Sequence, residues 1–517
     1  MSSDSDLPPS SPSPAQTPVE VAGTKQRAPY KTAGGLRALR EVASYAIQHA
    51  GVANTLRTVH TINQTSGFDC QSCAWPNPDG ERSLTEFCEN GFKAVTYEAT
   101  KLRLTPEFFR EHSVAALATR PDHWLGHQGR LTEPMVLRPG ATHYEPIAWA
   151  DAFRLVADEL LSLVSPHEAV FYTSGRTSNE AAFLYQLFVR AFGTNNLPDC
   201  SNMCHESTSV ALPPMIGIGK GCVRLTDFEK ADAIFIIGQN PGTNHPRMLT
   251  ALQAAKARGA KIVSVNPLPE TGTERFKNPQ DLLHPTRLPR FFLTSGTPLS
   301  DLWLPVLING DMAFLLGLMK EMLADEALRP GRVFDREFIR HHTEGFDELV
   351  AQLRATSWDE IVAFSGLSRE QIRAAADIAV ASHRIIVCWC MGVTQHKNAV
   401  ATIQQIMNFL LLGGHIGRPG SGPCPVRGHS NVQGDRTMGI WERPKQEFLD
   451  KLGAEFRFSP PREPGLDTVE AIRAMNEGRA RVFLAMGGNF LSATSDTELT
   501  ASALRKCRLT AHVSTKL

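Results

Sequence analysis

The sequence predicts an α/β protein of several domains built on parallel sheets, and three observations carry that expectation. A short apolar strand, a Gly/Asn/Thr loop and a helix follow one another in the same order four times, the grammar of strand–crossover–strand units. The chain has 517 residues, 42% of them hydrophobic and 21% charged, enough for more than one packed core at ordinary globular composition. A long glycine-rich stretch with arginines, Gly413 to Gly434, interrupts this pattern, and such loops inside compact folds tend to carry function.

In chain order, residues 1–28 are rich in Ser, Pro, Asp and Thr and nearly devoid of large apolar side chains, which predicts a disordered tail. Leu36, Leu39, Val42 and Ile47 have helical spacing and predict an amphipathic helix over Leu36–Ala50. Then come Cys70-Gln-Ser-Cys73-Ala-Trp-Pro and Cys88. Two cysteines bracketing two residues can offer both sulfurs to one centre, and zinc or an iron–sulfur cluster would use them. Three cysteines are visible, and His112 is a candidate fourth ligand of a zinc site.

The first strand unit is Ala169–Tyr172, ending in Thr173-Ser-Gly-Arg-Thr-Ser-Asn179. Its helix is predicted to turn Ala181, Leu184, Tyr185, Leu187, Phe188 and Phe192 inward. The second is Ile234–Gly238, with Asn240–Asn244 as its loop, a helix Met248–Arg258 and a return strand Lys261–Val265. The third is Ile385–Cys390 followed by Met391-Gly-Val-Thr-Gln395, and the fourth Val482–Met486 followed by Gly487-Gly-Asn489. In parallel sheets ligands bind at the carboxyl ends of strands, so these loops are the candidate binding surface. Asp311–Leu323 reads as a core helix, and Leu509–Val513 as a last strand.

Composition excludes several classes. Lys plus Arg and Asp plus Glu are both 53, and no basic block stands out, so a nucleic-acid or anionic-membrane surface is not expected. No apolar run approaches the roughly 18 residues of a membrane span. Ten cysteines in 517 residues are too sparse for a disulfide framework, and the first residues lack the pattern of a secretory signal, so the expected location is cytoplasmic. No loop reads G-x-x-x-x-G-K-[ST], and no G-x-G-x-x-G is followed by an acid, so neither a P-loop nor ordinary NAD binding is supported.

One dipeptide stands apart. Cys204-His205, in Cys200-Ser-Asn-Met-Cys204-His-Glu206, sets a soft thiolate beside an imidazole, a metal ligand next to a proton acceptor. Its plainest alternative is a packed cysteine that a histidine happens to follow. Arg418 and Arg427, in the glycine-rich stretch, are candidates for clamping phosphate.

Taken together, Cys70-Gln-Ser-Cys73-Ala-Trp-Pro, Ser201-Asn-Met-Cys204-His-Glu, Gly238-Gln-Asn-Pro-Gly-Thr-Asn-His-Pro246 and Val426-Arg-Gly-His-Ser-Asn-Val-Gln-Gly434 resemble the molybdopterin oxidoreductase superfamily of the dimethyl-sulfoxide-reductase type. The nearest branch resembles the formate-dehydrogenase-like alpha subunits, bacterial acid-resistance oxidoreductases included. The resemblance implies two Rossmann-like parallel-sheet domains and a small N-terminal iron–sulfur region. It divides the chain into 29–140 as that region, 141–200 with 385–517 as one discontinuous pterin-binding domain, and 201–384 as the other. It implies a molybdenum bis(molybdopterin guanine dinucleotide) cofactor with Cys204 as metal ligand and His205 as the proton-accepting catalytic residue. Cys70, Cys73 and Cys88 match ligands of a [4Fe–4S] cluster, and Lys93 the bridge from cluster to pterin. Gly175, Asn202, Asn240, Gly242, Thr243, Asn266, Gly392, Gln395, Arg427, Asn431, Gln433, Gly488 and Asn489 are the positions placed against the cofactor. The implied partners are a small-molecule substrate and an electron-transfer protein that the sequence does not identify.

Three departures qualify the resemblance. Asn77 stands where formate dehydrogenases carry their third clustered cysteine. Gln404 stands where they carry an arginine for the substrate carboxylate, and a neutral amide cannot supply a charged fork. Related chains continue into a C-terminal barrel-like domain, which is missing here. The alternative reading is therefore a truncated, non-catalytic remnant, or half of a split enzyme that keeps only the fold.

Overall fold

The computed structural model describes residues 30–517; the predicted tail over 1–28 lies outside the described residues. The chain divides into two compact units. One comprises Thr100–Met203 and Asn431–Leu517, the other the described residues through Ala99 together with Cys204–Ser430.

The second unit is organised on a five-stranded parallel sheet in the order Leu302–Leu304, Lys261–Val265, Ala233–Ile237, Ile385–Trp389, Gly422–Pro425. Phe235 is level with Val263 on one side and Val387 on the other. Both middle strands are buried along their whole length, which is why they read as unbroken apolar runs rather than alternating ones. Alternate residues still face opposite ways. Phe235, Ile237, Val387 and Trp389 pack with the helices Asp311–Leu328, Arg369–Val380 and Ala399–Leu412. Ile234, Ile236, Ile386 and Cys388 pack on the other face with the helix Met248–Ala257 and with Trp75.

The N-terminal part of this unit is a long helix, Gly35–Thr61, bent where Gly51 leaves helical geometry, packed on the helix Glu89–Glu98. The predicted inward face needs correction. Val42, Ala46, His49 and Ala50 are buried, whereas Leu36 and Ile47 are about half exposed.

The first unit carries a three-stranded parallel sheet, Leu509–Val513, Val482–Met486, Ala169–Thr173, with Leu484 level with Phe171 and Ala511. Val170, Tyr172, Phe483 and Ala485 face the helices Thr468–Asn476 and Thr497–Lys506. Ala169, Phe171 and Val482 face the helix Asn179–Phe192. On that helix Leu184 is largely exposed and Phe188 half-exposed with its ring edge-on to Phe171, and the buried stripe is Ala182, Gln186, Val189 and Arg190. The sequence hid this stripe because half of it is polar. Arg190 donates to Gln186 Oε1 (2.5 Å), Asn195 Oδ1 (3.0 Å), and the carbonyls of Gly439 (2.8 Å) and Trp441 (2.9 Å), so its burial is compensated by oriented oxygens.

The domain boundaries expected from the sequence also shift. Ile385–Trp389 is hydrogen-bonded between Ala233–Ile237 and Gly422–Pro425, so 385–430 lies with 204–384, not with 141–200. The region 29–140 is divided as well, at Ala99. Strand pairing decides such boundaries, and strands of the same apolar texture do not announce their partners. No described helix is long and apolar enough to cross a membrane.

Candidate functional site

In the second unit, four loops leave the carboxyl ends of the parallel strands: Gly238–Asn244, the segment from Asn266, Cys390–Gln395 and Val426–Ser430. Cys204 belongs to this unit and lies just before the helix Glu206–Ile216. It is partly exposed and rests on the short turn Met391–Thr394. Its carbonyl accepts from Thr394 Oγ1 (2.8 Å) and Gln395 Nε2 (3.1 Å), and its thiol points at Met391 Sδ, 3.6 Å away. Cys204 is thus mounted through both its main chain and its sulfur, with a soft thioether alongside.

His205 is in a different environment from Cys204. The ring is fully buried with protein at both nitrogens. A carbonyl can only accept, so Nε2 donates to Val426 O (3.2 Å), and Nδ1 accepts from Thr208 Oγ1 (3.0 Å), which accepts from Trp389 Nε1 (3.1 Å). Burial, and after it the positive charge of Arg427, lowers the His205 pKa to about 3. The imidazole is neutral and fully engaged.

His245, which the sequence reading did not single out, repeats this arrangement. Its Nε2 donates to Arg427 O (2.8 Å), and Nδ1 accepts from Gln239 Nε2 (3.4 Å); burial lowers its pKa too. Two buried neutral histidines therefore hold consecutive carbonyls of the loop after Gly422–Pro425. Its place inside the quoted Gly238–Pro246 stretch was the available signal.

The glycines of these loops meet one another. Gly392 N donates to Gly238 O (3.0 Å), and a Cβ on Gly392 would lie 2.6 Å from Gly238 Cα. A Cβ on Gly242 would lie 2.6 Å from Gly272 Cα. The structure thus gives Gly242 and Gly392 a packing role of their own. Asn240 caps Pro241–Asn244 by accepting from Thr243 N (3.2 Å), and it donates to Glu270 Oε2 (2.6 Å). Asn266 Nδ2 reaches Gln239 O (3.5 Å), Thr243 is exposed, and Arg427 Nη2 donates to Gly219 O (3.1 Å). Gln404 lies half-buried on Ala399–Leu412.

Cys70 and Cys88 converge: a Cβ on Gly91 would lie 2.7 Å from Cys70 Sγ and 3.6 Å from Cys88 Sγ. Gly91 N donates to Cys88 Sγ (3.3 Å), and Ser72 N to Cys70 Sγ (3.4 Å). Burial pushes the Cys88 thiol up to about 12, with smaller contributions from Cys73 and Cys70. Among the described residues, no three His, Cys, Asp or Glu side chains are gathered as for a single metal ion. Lys93 Nζ is paired with Glu89 (2.6 Å) on its own helix. His112 belongs to the other unit, stacked on Trp124 with ring centroids 6.0 Å apart.

In the first unit the predicted positions gather at the ends of Ala169–Thr173 and Val482–Met486. Gly175 N donates to Cys200 Sγ (3.1 Å), and its carbonyl accepts from Asn431 N (2.8 Å). Asn431 Nδ2 donates to Thr177 O (2.7 Å) and Asn179 Oδ1 (2.9 Å). Gln433 is half-buried on Val432–Met438, and Asn489 caps Phe490–Ala493 by accepting from Ser492 N (3.2 Å), with Gly488 beside it at φ 70. Asn202 Oδ1 accepts from Thr468 N (3.3 Å) and Oγ1 (3.2 Å), which makes it a tether to the Thr468–Asn476 helix. Sequence reasoning missed Asp435. This carboxyl is fully buried, and burial, with Asp199 second, raises its pKa to about 8, so it carries a proton at neutral pH.

The donor set suits a pterin cofactor at the second unit's loops. Gln239 Oε1 and Asn398 Oδ1 are buried there without a hydrogen-bond partner among the described residues, and acceptor oxygens of that kind fit the N–H edges of a pterin. A partly exposed thiol fits a soft metal.

The chain belongs to the molybdopterin oxidoreductase family, whose model matches residues 130–513. It is 54% identical over 487 residues to an uncharacterized oxidoreductase of Mycobacterium tuberculosis, covering 94% of this chain and 62% of that protein. It is 47% identical over 490 residues to the protein YdeP of Escherichia coli, covering 94% of this chain and 64% of that one. The F420-dependent formate dehydrogenase 1 subunit alpha of Methanococcus maripaludis is 30% identical over 311 residues, or 60% of this chain and 41% of its own length. The chain therefore spans less than two thirds of the relatives it matches. Among solved structures, acetylene hydratase from Pelobacter acetylenicus shares the fold at a TM-score of 0.56 and 17% identity, over 75% of this chain and 53% of that one.

Proposed function

We propose that this chain forms the cofactor-holding part of a molybdenum-dependent, formate-dehydrogenase-like oxidoreductase acting on a small molecule. The observation that carries the reading is Cys204: a partly exposed thiol, clasped through its own carbonyl by Thr394 and Gln395, at the carboxyl ends of parallel strands. When bound, a molybdenum–pterin dinucleotide group, in its guanine form, supplies the two-electron chemistry. Cys204 Sγ is its metal ligand in this proposal. Gln239 Oε1 and Asn398 Oδ1 accept from its N–H edges, and Asn240, Thr243, Asn266, Gln395 and Arg427 line the same loops. In the first unit Gly175, Asn202, Asn431, Gln433, Gly488 and Asn489 offer a second set of amide and backbone groups.

His205 keeps its Nε2 proton on Val426 O and orients the loop bearing Arg427, so it is a positioning residue rather than the proton acceptor. Cys70, Cys73 and Cys88 are the proposed ligands of a [4Fe–4S] cluster that exchanges electrons with an outside partner, in a cytoplasmic setting. Neutral Gln404 argues against a small carboxylate as substrate.

Metal and pterin analysis of the purified protein tests the proposal. Molybdenum is expected in the wild type and, because the ligand must be a thiolate, on the order of tenfold less in Cys204→Ser. Equal molybdenum in both proteins removes Cys204 as the ligand. Cys70→Ser is expected to lower iron without lowering molybdenum.

A further inference from the structure

The second unit has two features that the preceding roles do not use. One is a cavity of about 210 Å³ beside Cys88, whose apolar walls and charge-balanced Arg247–Glu86 pair select no particular ligand. The other is a row of three cysteines at one edge of the five-stranded sheet. Cys388 lies fully buried on Ile385–Trp389, and Cys424 is level with it, half-buried, on the edge strand Gly422–Pro425. Cys222 is exposed and lies just beyond that strand. The three residues step from core to solvent across a single sheet edge.

The segment bearing Cys222 runs back along the edge strand. Cys222 N donates to Pro423 O (3.3 Å), a Cβ on Gly221 would lie 2.8 Å from Pro425 Cδ, and Val223 lies beside Gly422. A Cβ on Gly422 would lie 3.2 Å from Cys222 Sγ, so the sulfur rests over a position that carries no side chain. Gly422 and Cys424 are two residues apart on a strand and face the same side, which puts the Cys222 sulfur on the face that Cys424 shares. Cys424 in turn is hydrogen-bonded to Cys388. Among the described residues no three His, Cys, Asp or Glu side chains are gathered as for a single metal ion, and the chemistry left to these sulfurs is thiol–disulfide exchange. Burial, then Cys424 and Asp227, hold the Cys222 thiol above its ordinary value, so the pair rests as two thiols.

We propose that Cys222 and Cys424 form a redox-modification site, at which a low-molecular-weight disulfide converts the two thiols into one Cys222–Cys424 disulfide. The exposed Cys222, as thiolate, attacks one sulfur of the small disulfide, forming a mixed disulfide and releasing the first small thiol. Cys424, as thiolate, then attacks Cys222 Sγ and displaces the second. The protein gives up two electrons and two protons, and the small disulfide takes them up as two thiols. Cys388, sealed in the core, takes no part. The new bond joins the segment after the helix Glu206–Ile216 to the strand that leads into Val426 and Arg427. Carbonyls of those two residues hold His205 and His245, so closure removes freedom from the 426–430 loop. None of this depends on a bound metal or pterin.

The experiment treats the purified full chain, reduced and then desalted, with oxidised glutathione and maps its disulfides by mass spectrometry of unreduced peptides. A linked Cys222–Cys424 peptide is expected, reversed by dithiothreitol and at least tenfold less abundant in Cys222→Ser and in Cys424→Ser. Cys222 is exposed, so its serine variant tests the bond without disturbing the core. Cys388→Ala is expected to keep the linked peptide. A wild type with no linked peptide, with glutathione alone on Cys222, or with Cys424 joined to Cys388 instead overturns the site. Hydrogen exchange across 426–430 reads the consequence, expected at least threefold slower in the oxidised wild type and unchanged by the same treatment in Cys222→Ser. Equal exchange in the oxidised and reduced wild type overturns the coupling to the loop.

Discussion

At the carboxyl end of the five-stranded sheet the glycine loops lock onto one another, whereas at the three-stranded sheet they are held by side-chain amides. Gly238 meets Gly392 and Gly242 meets Gly272, backbone against backbone, and His205 and His245 fasten the next loop by its carbonyls. In the other unit Asn431 and Asn202 do the fastening, and Gly488 sits with a positive φ beside Ser174. One sequence pattern thus gives two kinds of loop. The main-chain-locked set carries Cys204 with Asn240, Thr243, Asn266, Gln395 and Arg427, and the amide-held set carries Gly175, Asn202, Asn431, Gln433, Gly488 and Asn489.

The largest expected effect that sharpens this contrast is steric. Gly392→Ala forces a Cβ into Gly238 Cα and is expected to cost about 2–3 kcal/mol or abolish soluble expression, since backbone cannot step aside. Gly488→Ala meets mainly the small Ser174 side chain and is expected to cost about 1–2 kcal/mol, the penalty of a left-handed backbone. Urea unfolding of the two variants measures both, and equal costs would erase the distinction.

Next in size is opposite pH dependence. His205 and His245 have folded pKa values below their unfolded ones, so the unfolded state takes up protons first as the solution is acidified. Their contribution is complete above about pH 6.5 and is lost as pH falls toward the His205 value of about 3, by at most about 1.4 kcal/mol per pH unit for each group. Asp435 has a raised folded pKa, so its contribution is present below the unfolded carboxyl value and is lost as pH rises through about 8. Hydrogen exchange, corrected for its intrinsic pH dependence, is expected to show the five-stranded sheet loosening in acid and the Asp435 region in alkali. Asp435→Asn is expected to flatten the alkaline arm alone.

The smallest effect provides the baseline. Lys93→Gln breaks a partly exposed pair within one helix and is expected to cost less than about 0.5 kcal/mol by thermal unfolding. A much larger loss would mean that Lys93 has a structural partner beyond Glu89.

Much of the fold was legible because short, mainly apolar runs flanked by turn residues mark strands. Lys261–Val265, Val482–Met486 and Leu509–Val513 appear with the bounds read from the sequence. Helix faces were less legible. Leu184 looks like a core residue yet is largely exposed, while Arg190 lies inside because Gln186 Oε1, Asn195 Oδ1 and the carbonyls of Gly439 and Trp441 accept from it. The site was legible as residue types, not as environments: Cys204 and His205 are neighbours in the chain, and one is partly exposed while the other is sealed.

By itself, then, the sequence determined the strand–loop–helix order, the parallel sheets and the cysteine at position 204, because local apolar runs and turn chemistry fix those features. Only the tertiary structure decided that 385–430 joins the five-stranded sheet, that the His205 ring is sealed between Thr208 and Val426, and that a cavity opens beside Cys88. Strand pairing, burial and cavity shape arise from residues distant in the chain, and no local pattern encodes them.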